Sequence, residues 1–204
     1  MSDHSRPLRR ADLAEDPVSQ FSAWFAEAAE AGIRLPEAAA LATASAEGAP
    51  SVRMVLVKGF AGGCFVFYSN HNSRKGRQLE ENPRAALLFH WDALGRQVRI
   101  EGAVARASAE ETAAYVRSRP RASQLGALAS PQSQVVESRE ALEALVSELE
   151  ELAGEDELPL PTDWGGFALR AASYEFWQQR ADRLHDRFRY RREQDRWLIE
   201  RLAP

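Results

Sequence analysis

The chain has 204 residues, 45% of them hydrophobic and 27% charged, with a net charge of −4. That balance belongs to a folded globular protein and excludes a disordered one, and the length favours a single domain over residues 1–204. No apolar run approaches the roughly 18 residues of a membrane span, and the polar start Met1–Arg10 lacks the apolar stretch of a secretory signal, so the expected location is the cytoplasm with no membrane partner.

Residues 1–15 read as a flexible N-terminal segment. Asp16-Pro17 is an N-cap followed by proline at the first helical position, and the spacing of Phe21, Trp24, Phe25 and Ala28 predicts a helix ending near Gly32. Three strands are then expected over 39–45, 51–58 and 64–69, separated by Glu47-Gly48 and by the segment 59–63. Residues 73–82 predict a short helix stopped by Pro83. Strands follow over 84–91 and 97–105, joined by a turn at 92–96. Residues 107–118 are helical by composition, and Pro120 should break or restart that helix. A second clear helix spans 137–153, with Leu142, Leu145, Val146, Leu149 and Leu152 at helical spacing. After a loop over 154–163 the chain returns to strands at 167–178, 185–191 and 197–202. Strands dominating the middle and the end, with helices around them, predict an α+β, barrel-like domain.

Several chemistries are disfavoured. A single cysteine, Cys64, excludes an internal disulfide and a cysteine-built zinc site; beside Phe65, Val66 and Phe67 it reads as a buried, inert thiol. The histidines His4, His71, His90 and His185 are too scattered to spell a metal motif, so no metal is expected. The acidic balance argues against a nucleic-acid partner. There is no G-x-G-x-x-G after a strand, no Walker loop and no G-x-S-x-G elbow. By residue type alone Trp164, Trp177 and Trp197 read as core or interface anchors.

One local pattern does point to chemistry. No acidic residue lies between Gly48 and Leu79, yet Arg53, Lys58, Arg74, Lys75 and Arg77 fall there, and Lys58 and Lys75 are the only lysines in the chain. An isolated lysine is a compact point charge suited to phosphate, and Ser73 can cap the helix that begins there and leave its first amides facing an anion. The same run also reads as a solvated basic surface. Arg53 and Lys58 are an odd number apart, so a regular strand sends them to opposite faces; they serve different groups, or a bulge lies near Lys58. Further on, Arg183, His185 and Arg187 share one face if their segment is extended, an arrangement that calls for an anion opposite or for Asp182 and Asp186 as partners. Tyr115, Arg119 and Ser123 follow at one-turn intervals, although Pro120 prevents one unbroken helix through all three.

Taken together, these segments resemble the pyridoxamine (pyridoxine) 5′-phosphate oxidase family from about Leu8 to Pro204. The most specific matches are the run Arg53 to Lys58, Phe67-Tyr68-Ser69-Asn70 with Ser73-Arg74-Lys75, Ser118-Arg119-Pro120, Trp164-Gly165-Gly166, Glu175-Phe176-Trp177-Gln178, the run Arg183 to Arg187, and the closing Arg201-Leu202-Ala203-Pro204. The resemblance implies a split β-barrel FMN-binding fold, a homodimer, and sites at the subunit interface. It implies that FMN is held by Arg53, Met54, Val55, Leu56, Val57, Lys58, Tyr68, Ser69, Arg74, Lys75, Gln97, Gln132, Ser133, Trp177 and Arg187. The substrate phosphate falls to Lys58, Tyr115, Arg119 and Ser123, and Arg183 and His185 close over the pyridine ring.

The implied reaction oxidises pyridoxamine or pyridoxine 5′-phosphate to pyridoxal 5′-phosphate, with hydride passing from the substrate's C4′ to flavin N5 and dioxygen leaving as hydrogen peroxide. Arg183 is expected to position the ring, with no covalent nucleophile. Two departures from the family pattern stand out. Gln179-Arg180 replaces the usual glycine after Trp177-Gln178, and an Arg-x-x-Tyr-like segment upstream of Leu8-Arg9-Arg10 is missing, so closure over the substrate is expected to differ. A related flavin oxidase of phenazine biosynthesis shares the fold and the Arg-Leu-His pattern, but a substrate without phosphate has no use for Lys58, Tyr115, Arg119 and Ser123. A flavin or pyridoxal phosphate carrier without turnover is the other alternative, and Arg183 with His185 counts against it.

Overall fold

Asp16 caps helix α1 (Pro17–Glu30) by accepting a hydrogen bond from the Ser19 amide, with Pro17 at the first helical position, where its missing N–H would be unpaired in any case. The computed structural model describes residues 7–154 and 156–204. After α1 come β1 (Ala38–Ala44), β2 (Pro50–Gly59), β3 (Cys64–Asn70), α2 (Arg74–Glu81), β4 (Arg84–Trp91) and β5 (Arg96–Arg106). Then follow α3 (Ala109–Ser118), α4 (Arg121–Ala129), α5 (Arg139–Ala153), β6 (Trp164–Gln178), β7 (Asp186–Glu193) and β8 (Arg196–Leu202).

All strand pairings are antiparallel, in the order β3-β2-β1-β4-β5-β6-β7-β8, and a further β3–β6 pairing closes the first six into a barrel. The expected α+β split barrel is therefore the observed fold. Strand β6 organises it. One edge of β6 pairs with β5, while the other pairs first with β3 (Trp164 to Arg170) and then with β7 (Ser173 to Gln178). The strand starts three residues earlier than the sequence pattern marks, because Gly165 and Gly166 carry no side chains to reveal an alternation.

Period-two alternation fills the barrel. Ala39 and Leu41, Phe65 and Phe67, Leu87 and Phe89, and Val98 and Ile100 are all fully buried, as expected for inward positions of paired strands. Helix α1 plugs one end: Phe21 meets Phe60, Phe65 and Phe89, each at a ring-centroid separation of 5.0 Å. Cys64 and Val66 occupy the opposite parity from Phe65 and Phe67, so Cys64 is half-buried rather than buried as expected.

The described part of the segment expected to be flexible over 1–15 is anchored at several points, and residues 1–6, His4 among them, lie outside the described residues. Leu8 and Leu13 are buried. The Leu8 amide donates to Asp186 Oδ2 at 3.0 Å, the Leu8 carbonyl accepts from Arg201, and the Ala14 carbonyl accepts from the Tyr190 hydroxyl at 2.7 Å. Two buried leucines and three hydrogen bonds anchor what composition alone marks as a polar tail. Among the described residues no helix is long and apolar enough to cross a membrane.

Candidate functional site

At the barrel end opposite α1 the inward positions turn polar, and α2 packs there. Ser73 is the N-cap of α2, accepting from the Gly76 amide and donating to the Asn70 carbonyl. Gly76 is required: a side-chain carbon there would stand 2.0 Å from the His71 carbonyl oxygen. The preceding residue, Lys75, is buried, and its ammonium donates to Ser69 Oγ at 2.7 Å, Ser73 Oγ at 3.2 Å and Gln132 Oε1 at 2.7 Å. Arg53 extends towards the same end, bonding the Leu41 carbonyl and Thr43 Oγ1, while Gln78 receives Thr43 and Ser51.

The electrostatics of this end are one-sided. Burial, together with Arg53, pushes Lys75 down to about 8, and burial with Arg74 lowers Arg53. Among the described residues no carboxylate forms an ion pair with Arg53, Arg74 or Lys75. Buried Lys75 and half-buried Arg53, held by neutral groups with the exposed Arg74 nearby, are unfavourable unless an anion joins them. The cluster, which brings Arg53, Ser69, Arg74, Lys75 and Gln132 together, has the charge and donors to suit a phosphate such as that of FMN. Ser133 adjoins Gln132 in a left-handed backbone conformation, φ 71°.

A second group lies alongside. Tyr68 and Tyr115 stack with ring centroids 3.7 Å apart, Trp164 lies parallel to both, and the Arg119 guanidinium sits 4.8 Å from the Trp164 ring centroid. One nitrogen of Arg119, Nη1, is buried without a hydrogen-bond partner. A buried, unpaired guanidinium nitrogen signals a ligand site. Pro120 interrupts the chain as expected: α3 ends at Ser118, α4 starts at Arg121, and the Ser123 amide bonds back to the Pro120 carbonyl. Helix α4 itself is the restart that proline permits. Trp164 is the buried anchor its residue type predicts, and the adjacent Gly165-Gly166 let its strand pass close to α3.

The third group lies on the outer face of β5, β6 and β7, where Gln97 pairs with Trp177 and Trp177 with Arg187. Trp177 packs on His185 with ring centroids 4.6 Å apart, and His185 Nδ1 accepts from the Arg180 amide. Glu175, buried two residues before Trp177, takes Arg187 Nε at 2.8 Å on one oxygen and Arg99 on the other. The sequence reading gave Glu175 no role, although its shared parity with Trp177 places it on the same face. Arg183 requires a correction: it is not in an extended run with His185 and Arg187 but in a turn, at φ 65°, and β7 begins only at Asp186. The segment after Gln179-Arg180 forms that turn, with the Arg183 amide bonding the Arg180 carbonyl.

Strand β2 keeps its parity. Arg53 points towards the α2 end, whereas Lys58 points outward to Glu37 at 3.2 Å, and the β2–β3 register shifts between Val57 and Gly59. Val57 is buried and Val55 half-buried, while Met54 and Leu56 are exposed. Among the described residues no hydrogen bond, ion pair or ring contact links Gln97, Trp177, His185 or Arg187 to Lys75, Tyr68, Tyr115 or Arg119 within one chain.

Comparison with known proteins matches these features to one family. Residues 25–153 match the family model described as pyridoxamine 5′-phosphate oxidase, and residues 164–204 match the pyridoxine 5′-phosphate oxidase C-terminal dimerisation region. The chain is 52% identical to the pyridoxine/pyridoxamine 5′-phosphate oxidase of Salinibacter ruber, over 97% of this chain and 93% of that one. It is also 52% identical to the protein of the same name from Rubrobacter xylanophilus, over 98% and 94%. Among solved structures, PhzG from Burkholderia lata 383, in complex with tetrahydrophenazine-1-carboxylic acid, is 32% identical with a TM-score of 0.91, covering 98% of this chain and 100% of that one. A split barrel closed through β6, bearing these residues at these positions, and half-identical relatives along nearly the full length lead to one assignment: the chain is an oxidoreductase belonging to the pyridoxamine 5′-phosphate oxidase family.

Proposed function

We propose that this chain is an FMN-dependent oxidase that converts pyridoxamine 5′-phosphate and pyridoxine 5′-phosphate to pyridoxal 5′-phosphate, with dioxygen as acceptor and hydrogen peroxide as by-product. The observation that carries the reading is the cluster of half-buried Arg53, exposed Arg74 and buried Lys75, none of which pairs with a carboxylate among the described residues, set beside an unpaired Arg119 nitrogen. Two separate cationic groups suit two phosphates, one of the cofactor and one of the substrate.

When bound, FMN supplies the redox chemistry. The chain's own residues bind and orient. Arg53, Ser69, Arg74, Lys75, Gln132 and Ser133 take the cofactor phosphate, with Tyr68 and the β2 segment Met54 to Val57 beside it. Gln97, Trp177 and Arg187 hold the flavin ring portion, and Glu175 fixes the Arg187 guanidinium. Lys58, Tyr115, Arg119 and Ser123 take the substrate phosphate. Arg183 and His185 lie over the substrate ring, Arg183 as a positioning cation and His185 held against Trp177. Aligning two rings in this way lowers the barrier mainly through orientation.

The working unit is a homodimer acting in the cytoplasm. Two observations support the dimer: the match to a dimerisation region, and an apolar outer face on β2 and β4 where Val52, Met54, Leu56 and Leu88 are exposed. The Trp177 group does not reach the Lys75 group within one chain, and a second copy seated on that face brings the two together.

The high structural similarity to PhzG favours a second reading, in which the substrate is a phenazine precursor without phosphate. The unpaired Arg119 nitrogen beside Tyr115 favours a phosphorylated substrate instead. The test is to purify the chain, record flavin absorbance, add each vitamer phosphate, and follow peroxide and aldehyde. Aldehyde and peroxide in equal amounts are expected. Bound flavin with neither vitamer oxidised would remove the oxidase reading and leave a carrier.

A further inference from the structure

Where β6 changes partner, the sheet has a gap. Arg170 is the last β6 residue paired with β3 and Ser173 the first paired with β7, so on that edge Ala171 and Ala172 face no strand. The gap opens into a cleft of about 690 Å³. Its walls include Asp16 at the start of α1, Gly63 before β3, Arg170 and Tyr174 of β6, Arg192 of β7 and Trp197 of β8. None of these residues belongs to the groups assigned above to cofactor or substrate.

Tyr174 and Tyr190 are cross-strand partners, both buried, yet only one is satisfied. The Tyr190 hydroxyl donates to the Ala14 carbonyl at 2.7 Å, whereas the Tyr174 hydroxyl is buried with no partner. Phenylalanine would fill the same volume without leaving a polar atom unpaired, so the lone hydroxyl is an unexplained cost in the unliganded chain. Gly63, at φ +75°, keeps the approach to it clear, since a side-chain carbon there would stand 3.3 Å from the hydroxyl oxygen. Burial raises the Tyr174 hydroxyl above the usual phenol range, so it stays a donor.

The charges around the cleft are unbalanced in the same sense. Arg189 and Arg191 of β7 pair with Glu200, but among the described residues neither Arg170 nor Arg192 has an acidic partner. Arg192 instead lies 5.3 Å from the centroid of the Trp197 ring. Asp16, the one carboxylate among the lining residues, accepts from the Ser19 amide and hydroxyl through Oδ2 and keeps its charge near the Tyr174 hydroxyl. Against that single carboxylate stand two guanidinium groups, one neutral donor and an indole.

We propose that this cleft is a second binding site, for a small planar organic anion whose charged group is taken by Arg170 and Arg192. Its ring lies against Trp197 and one of its oxygens accepts from the Tyr174 hydroxyl. The site is independent of the oxidase reading, because it uses none of the residues on which that reading rests.

Calorimetric titration of the full-length protein tests it, with benzoate and phenyl phosphate as probes and inorganic phosphate as the bare anion. Saturable binding of benzoate or phenyl phosphate is expected, and which of the two binds more tightly identifies a carboxylate or a phosphate ester as the natural group. Tyr174→Phe and Arg170→Ala should each weaken that binding about tenfold or more, which separates it from binding at the Arg119 cradle. Unliganded Tyr174→Phe should melt no lower than the parent and oxidise vitamer phosphates at the parent rate. Failure of both aromatic probes to bind, or binding untouched by both substitutions, would overturn the site. So would inorganic phosphate binding as tightly as the ring-bearing probes, or a lower melting temperature for Tyr174→Phe, which would mean the hydroxyl already has a buried partner.

Discussion

Tyr68 and Tyr115 lie face to face, ring centroids 3.7 Å apart and planes 12° from parallel, although one sits on β3 beside the group proposed for the cofactor phosphate and the other on α3 in the group proposed for the substrate phosphate. The stack is a physical link between the two groups. Tyr115→Phe keeps the ring and removes only the hydroxyl, so KM for the vitamer phosphate should rise by the equivalent of about 1.5–3 kcal/mol, the worth of a hydrogen bond to a charged group, with FMN affinity unchanged. Tyr115→Ala also removes the ring contact, worth about 0.5–1.5 kcal/mol, and should weaken FMN as well. Steady-state kinetics alongside flavin titration separates the two effects; equal FMN affinity in both variants would show that the stack does not couple the groups.

Arg119 tests the substrate cradle more directly. Its Nη1 has no protein partner, so Arg119→Ala leaves no protein acceptor stranded there and should fold normally. KM should rise by the equivalent of about 1.5–3 kcal/mol while the flavin stays bound. An unchanged KM would remove Arg119 from the site.

Lys75 gives the pH dependence its sign. Burial holds it at about 8 in the cofactor-free fold, against about 10.4 in an unfolded chain. Between those values the folded protein carries fewer protons than the unfolded one, so cofactor-free stability should increase as pH rises through that window. A bound phosphate reverses the balance by drawing the proton back. FMN binding should therefore take up a proton near pH 8 to 9 and weaken as pH climbs, which titration in buffers of different ionisation enthalpy reads directly. Lys75→Met should abolish the proton uptake and raise Kd for FMN; uptake persisting in that variant would assign it to another group.

The exposed face of β2 tests the assembly. Met54 is 63% exposed and Val52 68%, so a charge there costs a lone subunit little but is expensive in an apolar interface. Met54→Glu should give a folded monomer by sedimentation, with FMN and activity both lost because the Trp177 and Lys75 groups no longer meet. A variant that stays dimeric would move the interface elsewhere.

Much of this was legible in the sequence where a local rule decides the outcome. Asp16-Pro17 and Ser73 start the helices that their residue types predict, Pro120 parts α3 from α4, and the acid-free run from Arg53 to Arg77 supplies the cation cluster. The rest depends on long-range packing. Arg183 looks extended by its neighbours but takes a left-handed turn, because the chain must reverse between Gln178 and Asp186 for β7 to pair antiparallel with β6. Trp164 is the buried anchor its type suggests, but only the folded chain lays it parallel to Tyr115, and Lys75 is buried only once α2 packs beside Ser69 and Gln132. Glu175 acquires its meaning only when β5 and β7 bring Arg99 and Arg187 to either side of it.

The central claim is that two phosphates, neutralised by separate groups of one fold, place a vitamer ring against a flavin. Its most direct test is to mix the FMN-loaded protein with pyridoxamine 5′-phosphate in the absence of oxygen and record the visible spectrum. The account requires the flavin absorbance to bleach, one pyridoxal 5′-phosphate to form per flavin, and colour to return with peroxide when air is admitted. A spectrum unchanged by saturating vitamer phosphate would contradict it.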